Sequence, residues 1–204
     1  MSIYGKYKAS LQSVMEDLAK AMESYCEEEQ QNGGDMLYEH LRYRLKSESS
    51  MEDKLKKRGL PLTAESAFYE VRDAIGFRMV CRFVDDIYEN VARIRAIPGV
   101  IIVKEKDYIK NVKPNGYRSY HLILDVTAPY EDPEGRNPGH FFVEIQLRTI
   151  AMDSWAALEH EMKYKQKVKN ADLISRELKR CADELASCDL SMQTIRNLIR
   201  GSDH

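Results

Sequence analysis

The chain has 204 residues, 43% of them hydrophobic, enough for one substantial core or a core with an interaction arm. Its 31 Lys and Arg are balanced by 33 Asp and Glu, a formal net charge of -2. That excludes a global positive excess for coating nucleic acid and leaves room for a local basic cleft. The four cysteines, Cys26, Cys81, Cys181 and Cys188, form no C-x-x-C pair, so a zinc or redox motif is not indicated and all four read as reduced. No apolar run approaches the roughly 18 residues of a membrane span, and the start, MSIYGKYKAS, lacks a signal-peptide core. The expectation is a soluble, cytoplasmic protein.

In chain order, Leu11, Val14, Met15, Leu18, Met22 and Tyr25 recur at helical spacing and predict a helix over 8–30, broken by Gly33-Gly34. A strand follows at 38–47, then helical segments at 50–58 and 64–71. The run AIGFRMVCRF, 74–83, reads as a buried strand. Asp85-Asp86 opens a helix to about Ile97, ended by Pro98-Gly99. Strands are predicted at 100–109, 117–126 and 140–148, the last two rich in β-branched and aromatic residues and separated by the loop APYEDPEGRNPG. From Ile150 the chain reads as helical, with a break near Lys167–Asn170. The predicted class is α+β: a mixed β-sheet flanked by helices, with N- and C-terminal helical arms. The last helix carries Leu173, Leu178, Leu185, Leu190, Ile195 and Leu198, a stripe that packs either on its own core or on another subunit.

Four clusters carry candidate chemistry. Arg44 and Lys46 share a strand face, and Ser50 and Lys54 are neighbours on a helix; together they form either a phosphate cradle or a solvated basic face. Asp73 and Arg78 flank a strand entrance, as a cap, an ion pair or part of a metal site. In FFVEIQLR, Glu144, Gln146 and Arg148 alternate away from Val143, Ile145 and Leu147, which makes them either a solvated face or a cleft floor. Asp73 and Glu144 could then share a magnesium ion with substrate phosphates. In KPNGYRSYH, Tyr117 could stack on a base while Lys113, Arg118 and His121 meet phosphates; the alternative is a hairpin with structural aromatics. No P-loop, G-x-G-x-x-G or Ser-His-Asp pattern competes.

The segments RLKSESSMEDKL, RDAIGFRMV, KPNGYRSYH and VEIQLRTIAMDSWAALEH, in this order over roughly 36–165, closely resemble the synthetase domain of the RelA/SpoT family of guanosine alarmone synthetases. The resemblance implies a nucleotidyltransferase-like fold. It also implies transfer of pyrophosphate from ATP to the ribose 3′-hydroxyl of GTP or GDP, giving pppGpp or ppGpp and AMP. By the same resemblance, Arg44 and Arg78 hold the adenine, and Lys46, Ser50 and Lys54 contact ATP phosphates. Asp73 and Glu144 hold magnesium, with Glu144 also helping to deprotonate the acceptor hydroxyl. Tyr117 stacks on the acceptor guanine, Lys113 and His121 lie near its phosphates, and Gln146 and Arg148 support the acceptor side.

The chain contains no His-Asp dipeptide of the kind found in the hydrolase domain of long family members, and it resembles the small, monofunctional synthetases. The resemblance then implies a homotetramer assembled through terminal helices and no ribosome-binding domain. It divides the chain into an N-terminal helix (1–34), a synthetase domain (35–166) and a C-terminal arm (167–204). Two departures stand out. Asp73-Ala74-Ile75-Gly76-Phe77-Arg78 replaces the common Asp-Ile-Ala-Gly-x-Arg, and the first helix ends in acids, against activation by pppGpp in a central cleft. Within enzymes, the alternatives are ATP or tRNA as acceptor; outside them, a nucleotide- or RNA-binding module on the same fold.

Overall fold

A computed structural model describes residues 2–164 and 170–202. The elements run α1 (Lys8–Gln31), β1 (His40–Leu45), α2 (Glu48–Arg58), a π-helical turn (Ser66–Val71), β2 (Ile75–Cys81), α3 (Val84–Arg95), β3 (Val100–Asp107), β4 (Tyr120–Ala128), β5 (Gly139–Thr149), α4 (Ile150–Tyr164) and α5 (Ala171–Ser202). The strands form one mixed sheet in the order β1-β2-β5-β4-β3. β2 and β5 are parallel, and the other pairs are antiparallel.

One face of the sheet is apolar because the period of two sends Ile75, Phe77, Met79, Leu122, Leu124, Phe141, Val143, Ile145 and Leu147 to the same side, where all are buried. α1 lays Leu11, Val14, Met15, Leu18, Met22 and Tyr25 into that core, at the expected helical spacing. The 1–34 segment therefore shares the core of the sheet. Buried Asn90 of α3 accepts a hydrogen bond from Tyr25 Oη at 2.8 Å and donates to Leu37 O at 2.7 Å. These bonds lock α1 and α3 together without an unpaired polar group.

α2 starts at Ser47, whose side chain accepts from Ser50 N at 3.3 Å, and stops at Gly59, whose φ of 67° supplies the left-handed turn a side chain disfavours. The segment expected to be helical at 64–71 is largely π-helical, and it ends in Arg72 at φ 61°. Arg72 pins itself by donating from Nε to Tyr69 O at 2.6 Å. This turn delivers Asp73 to the start of β2, and π turns recur at functional sites. The strand expected from 117 begins at Tyr120 instead, because residues 113–117 are closed by a turn, with Gly116 N donating to Lys113 O at 2.8 Å.

α5 folds back along its own molecule. Thr149 Oγ1 donates to Asp189 at 2.7 Å, Gln193 accepts from Asp85 N at 3.2 Å, and Arg196 pairs with Asp86. The apolar stripe splits accordingly. Leu178 and Leu185 pack against Trp155 and Ala182, whereas Leu173, Leu190, Ile195 and Leu198 are exposed. Most of the break expected at Lys167–Asn170, and the proposed boundary at 166/167, lie outside the described residues; Asn170 itself has φ 111°. All four cysteines are free, Cys26 and Cys81 in the core and Cys188 exposed. Among the described residues no helix is long and apolar enough to cross a membrane.

Candidate active site

The opposite face of the sheet is a polar floor. Strand register aligns two rows across all five strands. One row is Arg44, Gly76, Glu144, Ile123 and Lys104; the next is Arg42, Arg78, Gln146, His121 and Lys106. Residues paired across a sheet point to the same face, so these side chains converge from five separate stretches of sequence. Arg42, Lys104 and Lys106 are not singled out by the sequence reading. Their alternation in LRYRL and VKEKD is the available signal, but Lys104 also depends on an irregularity in β3 between Ile102 and Lys104 that resets the register.

Two clefts open on this floor. The first, about 480 Å³, includes Arg42, Arg44, Lys46, Gly76, Arg78 and Gln146 in its lining. The second, about 370 Å³, includes Lys54, Arg58, Arg72, Lys104, Lys106, Tyr108, Lys113 and His121. Asp73 and Glu144 line both. Six cations against few acids make the second cleft strongly positive in a chain of nearly neutral net charge.

Asp73 is held by Lys46 and Lys54, both on its Oδ2. Its Oδ1 is buried without a hydrogen-bond partner. An orphaned carboxylate oxygen is costly unless something else satisfies it, and between two clefts a cation is the chemical fit. Among the described residues no three His, Cys, Asp or Glu side chains gather as a metal set. A cation here would therefore take two carboxylates and complete its shell with substrate oxygens and water, the habit of magnesium. Burial lowers the pKa of Lys46, while its bond to Asp73 opposes the shift. Burial works against the Glu144 carboxylate too. There the opposing contacts win: His121 Nδ1 at 3.8 Å, Lys54, and Gln146 Nε2 at 3.3 Å hold its pKa below the ordinary value.

A chain of contacts runs behind the two clefts. Arg148 is buried and donates to Asp153 at 2.9 Å, to Gln146 Oε1 at 2.8 Å and to Tyr117 Oη at 2.9 Å. Asp153 also lies 3.5 Å from Arg78, on the first cleft. Tyr117 Oη is 2.8 Å from His121 Nε2. Arg148 can only donate, so the phenol oxygen accepts from it and keeps its own hydrogen; the direction of the bond to His121 Nε2 follows the imidazole tautomer, and the tautomer with its hydrogen on Nδ1 accepts from Tyr117 and presents that hydrogen toward Glu144.

Of the residues expected from the sequence, Arg44, Lys46, Asp73, Arg78 and Glu144 meet at the first cleft, and Lys54, Lys113 and His121 at the second. Gln146 stands on the first cleft, paired across the ladder with His121 of the second. Arg148 is a buried hub. Ser50 sits on the first turn of α2, its Oγ accepting from Ser47 at 2.8 Å, and it lines neither cleft. Tyr117 stands behind the second cleft, its ring 4.6 Å from Lys113 Nζ; Tyr108 presents its ring there, 4.3 Å from the same ammonium. Arg118 turns away from both clefts, onto α5. Asp153 and Tyr108 are further site residues that the sequence does not single out.

Two clefts rich in cations, joined at two carboxylates on the floor of a mixed sheet, suit two polyphosphate-bearing ligands that meet at a shared junction. Residues 43–169 match the family model described as the region found in RelA / SpoT proteins. The chain belongs to that family. It is 37% identical over 158 residues to GTP pyrophosphokinase YwaC of Bacillus subtilis, covering 78% of this chain and 73% of that protein. It is 33% identical over 157 residues to GTP pyrophosphokinase YjbM of the same organism, covering 77% and 71%. Among solved structures, the small alarmone synthetase 1 of Bacillus subtilis bound to its product pppGpp superposes with a TM-score of 0.82 at 27% identity, covering 97% of this chain and 98% of that one. Small alarmone synthetase 2 of the same organism superposes with a TM-score of 0.75 at 34% identity, covering 94% and 98%.

Proposed function

We propose that this protein is a guanosine alarmone synthetase. It moves the pyrophosphate of ATP onto the ribose 3′-hydroxyl of GTP or GDP, releasing AMP and forming pppGpp or ppGpp. The observation that carries the reading is that Asp73 and Glu144 line both clefts. Group transfer between two nucleotides needs two pockets sharing one charged junction. Relatives that are GTP pyrophosphokinases, and one whose structure holds pppGpp, support the choice of nucleotides.

In this reading the first cleft takes ATP. Arg44 and Arg78 offer guanidinium planes to the adenine, and Lys46 and Lys54 neutralise phosphate charge at the junction. The second cleft takes the acceptor, with Lys104, Lys106 and Lys113 facing its phosphates and Tyr108 and Tyr117 offering rings near its base. Asp73 Oδ1 and Glu144 would hold magnesium, which when bound neutralises phosphate charge and lowers the pKa of the acceptor hydroxyl. Glu144, which lines both clefts, would orient the acceptor hydroxyl and accept its hydrogen bond. Such a transfer depends on positioning and charge more than on a covalent nucleophile.

The synthetase domain spans 35–166 in this reading, with 167–204 as the arm, in a cytoplasmic enzyme. The exposed apolar side of α5 supports assembly of copies into a homotetramer, which sedimentation of the pure protein tests. Activity is tested by incubating the protein with magnesium, labelled ATP and, separately, GTP, GDP, GMP, unlabelled ATP or tRNA. The expected result is AMP and a labelled guanosine product with GTP or GDP. Turnover confined to the ATP or tRNA arms would overturn the acceptor assignment.

A further inference from the structure

The turn that carries Lys113 and Tyr117 is held from outside the site. Asn115 Nδ2 donates to Glu159 of α4 at 3.0 Å, and Asn115 Oδ1 accepts from Tyr117 N at 3.2 Å. Gly116 has φ 90°, and a Cβ there would lie 2.6 Å from Ala182 Cβ of α5, so the turn and the helix touch backbone to side chain with no room between them. Arg118 fastens the contact. Its Nη1 donates to Gly116 O at 3.2 Å and to Ala182 O at 3.1 Å, and its Nη2 donates to Asp183 at 3.1 Å. One helical turn earlier, Trp155 Nε1 donates to Leu178 O at 2.7 Å, and the Trp155 ring lies 6.3 Å from that of Tyr117. Leu178 and Ala182 are four residues apart, so two side-chain donors hook the same face of α5 on successive turns.

We infer that α5 is the positioning element of the acceptor pocket and that Arg118 is the residue through which it acts. Arg118 lines neither of the two clefts. Its neighbour Tyr117 bonds His121, which faces Glu144, and Lys113 closes the same turn by accepting from Gly116 N. A slack turn would therefore displace the acceptor-side groups and leave Arg44, Lys46 and Arg78 where they are, on β1, β2 and the loop after β1. The guanidinium fork suits this role because it bonds two carbonyls and a carboxylate at once, which a lysine ammonium on a flexible stem cannot reproduce in that geometry. The assignment of this pocket to the acceptor rests on the function proposed above.

Steady-state kinetics on wild type, Arg118→Ala, Arg118→Lys and Asp183→Ala separate the possibilities. Arg118→Ala should raise the acceptor KM by about 10- to 100-fold, as sub-ångström to ångström misplacement does, and leave the KM for ATP within about twofold. Arg118→Lys should restore little of the loss. Asp183→Ala, which removes only the exposed end of the contact, should give a smaller shift with the same selectivity. A purely structural role would lower the melting temperature and move both KM values together; that result, or an unchanged acceptor KM in both alanine variants, overturns the inference. If wild type uses a nucleotide other than GTP or GDP, the guanine reading fails while the same KM split, measured with that acceptor, still decides the role of Arg118. A wild-type chain that transfers to no acceptor removes both.

Discussion

Gly76 and Glu144 are direct partners in the parallel ladder between β2 and β5. A Cβ placed on Gly76 would meet no protein atom within 4 Å, and its φ lies outside the left-handed region. The fold therefore does not demand glycine at this position. The empty space beside Glu144 belongs to the cleft, and glycine keeps it open for a ligand.

Gly76→Val should consequently leave the fold intact, and strand propensity favours the branched residue by up to about 1 kcal/mol. The same side chain should block the first cleft. Thermal melting is expected to show equal or raised stability, and calorimetric titration with a non-hydrolysable ATP analogue to show affinity reduced by about tenfold or more, roughly 1.4 kcal/mol. Unchanged affinity would show that ATP does not lie over this row.

Asp73→Asn and Glu144→Gln each remove one carboxylate from the junction while keeping its shape. Synthesis should fall by about 100-fold or more in each, the scale of losing a charged group that acts at the reacting centre. Circular dichroism should be unchanged. Near-normal turnover in either variant would remove that residue from the metal site.

Lys104 and Lys106 project from the edge strand β3 into the second cleft. Replacing both with alanine should raise the acceptor KM by about tenfold, more for a triphosphate than for a diphosphate, and leave the ATP KM nearly unchanged. The penalty should shrink as salt rises, because screening already weakens these contacts in the wild type. Equal effects on both substrates would contradict the division into two clefts.

The long loop before β5 is organised by Asp132, whose side chain has 0% exposure. It accepts from Glu134 N and Arg136 N at 3.0 Å, His140 N at 3.1 Å and Arg136 Nε at 2.7 Å. Burial alone would raise its pKa, but these donors, from His140 and Arg136 above all, hold it below the ordinary carboxylate value. The ionised form is thus favoured by folding. Its stabilisation is present above the unfolded-state value near pH 4 and is lost as pH falls through the depressed native one. Asp132→Ala should cost about 2 to 4 kcal/mol at neutral pH, read from urea denaturation. The gap between wild type and variant should narrow toward pH 3; a constant gap would refute the ionic origin.

Much of the site is legible in local pattern. Alternation alone separates Glu144, Gln146 and Arg148 from Val143, Ile145 and Leu147, and the helix of Leu11 to Tyr25 follows from spacing. What local pattern cannot supply is which strands become neighbours. The rows that align Arg44 with Glu144 and Lys104 depend on pairings between distant segments, and the first cleft includes Gln146 because β5 adjoins β2, where Gln146 pairs with Arg78. Pattern places Tyr117 on a strand with His121. It belongs instead to a turn fixed by Gly116 against α5, a contact no feature of KPNGYRSYH announces. Arg148 and Arg118 are both arginines read from the sequence as site candidates, yet one is a buried hub and the other grips a helix, because burial is decided by what packs on top.

The parallel pairing of β2 with β5 has a consequence for how the protein comes into being. β5 can dock beside β2 only after α3, β3 and β4 have been made, so the junction at Asp73 and Glu144 closes through a long loop of chain. Contacts of that kind are entropically slow to form. As the chain leaves the ribosome, α1, α2 and β1 emerge before either half of the junction is complete. A nascent or truncated chain ending before β5 would lack Glu144 altogether, so catalytic competence should arrive late in synthesis, after the last strand of the sheet is seated and α5 has closed on the turn at Gly116.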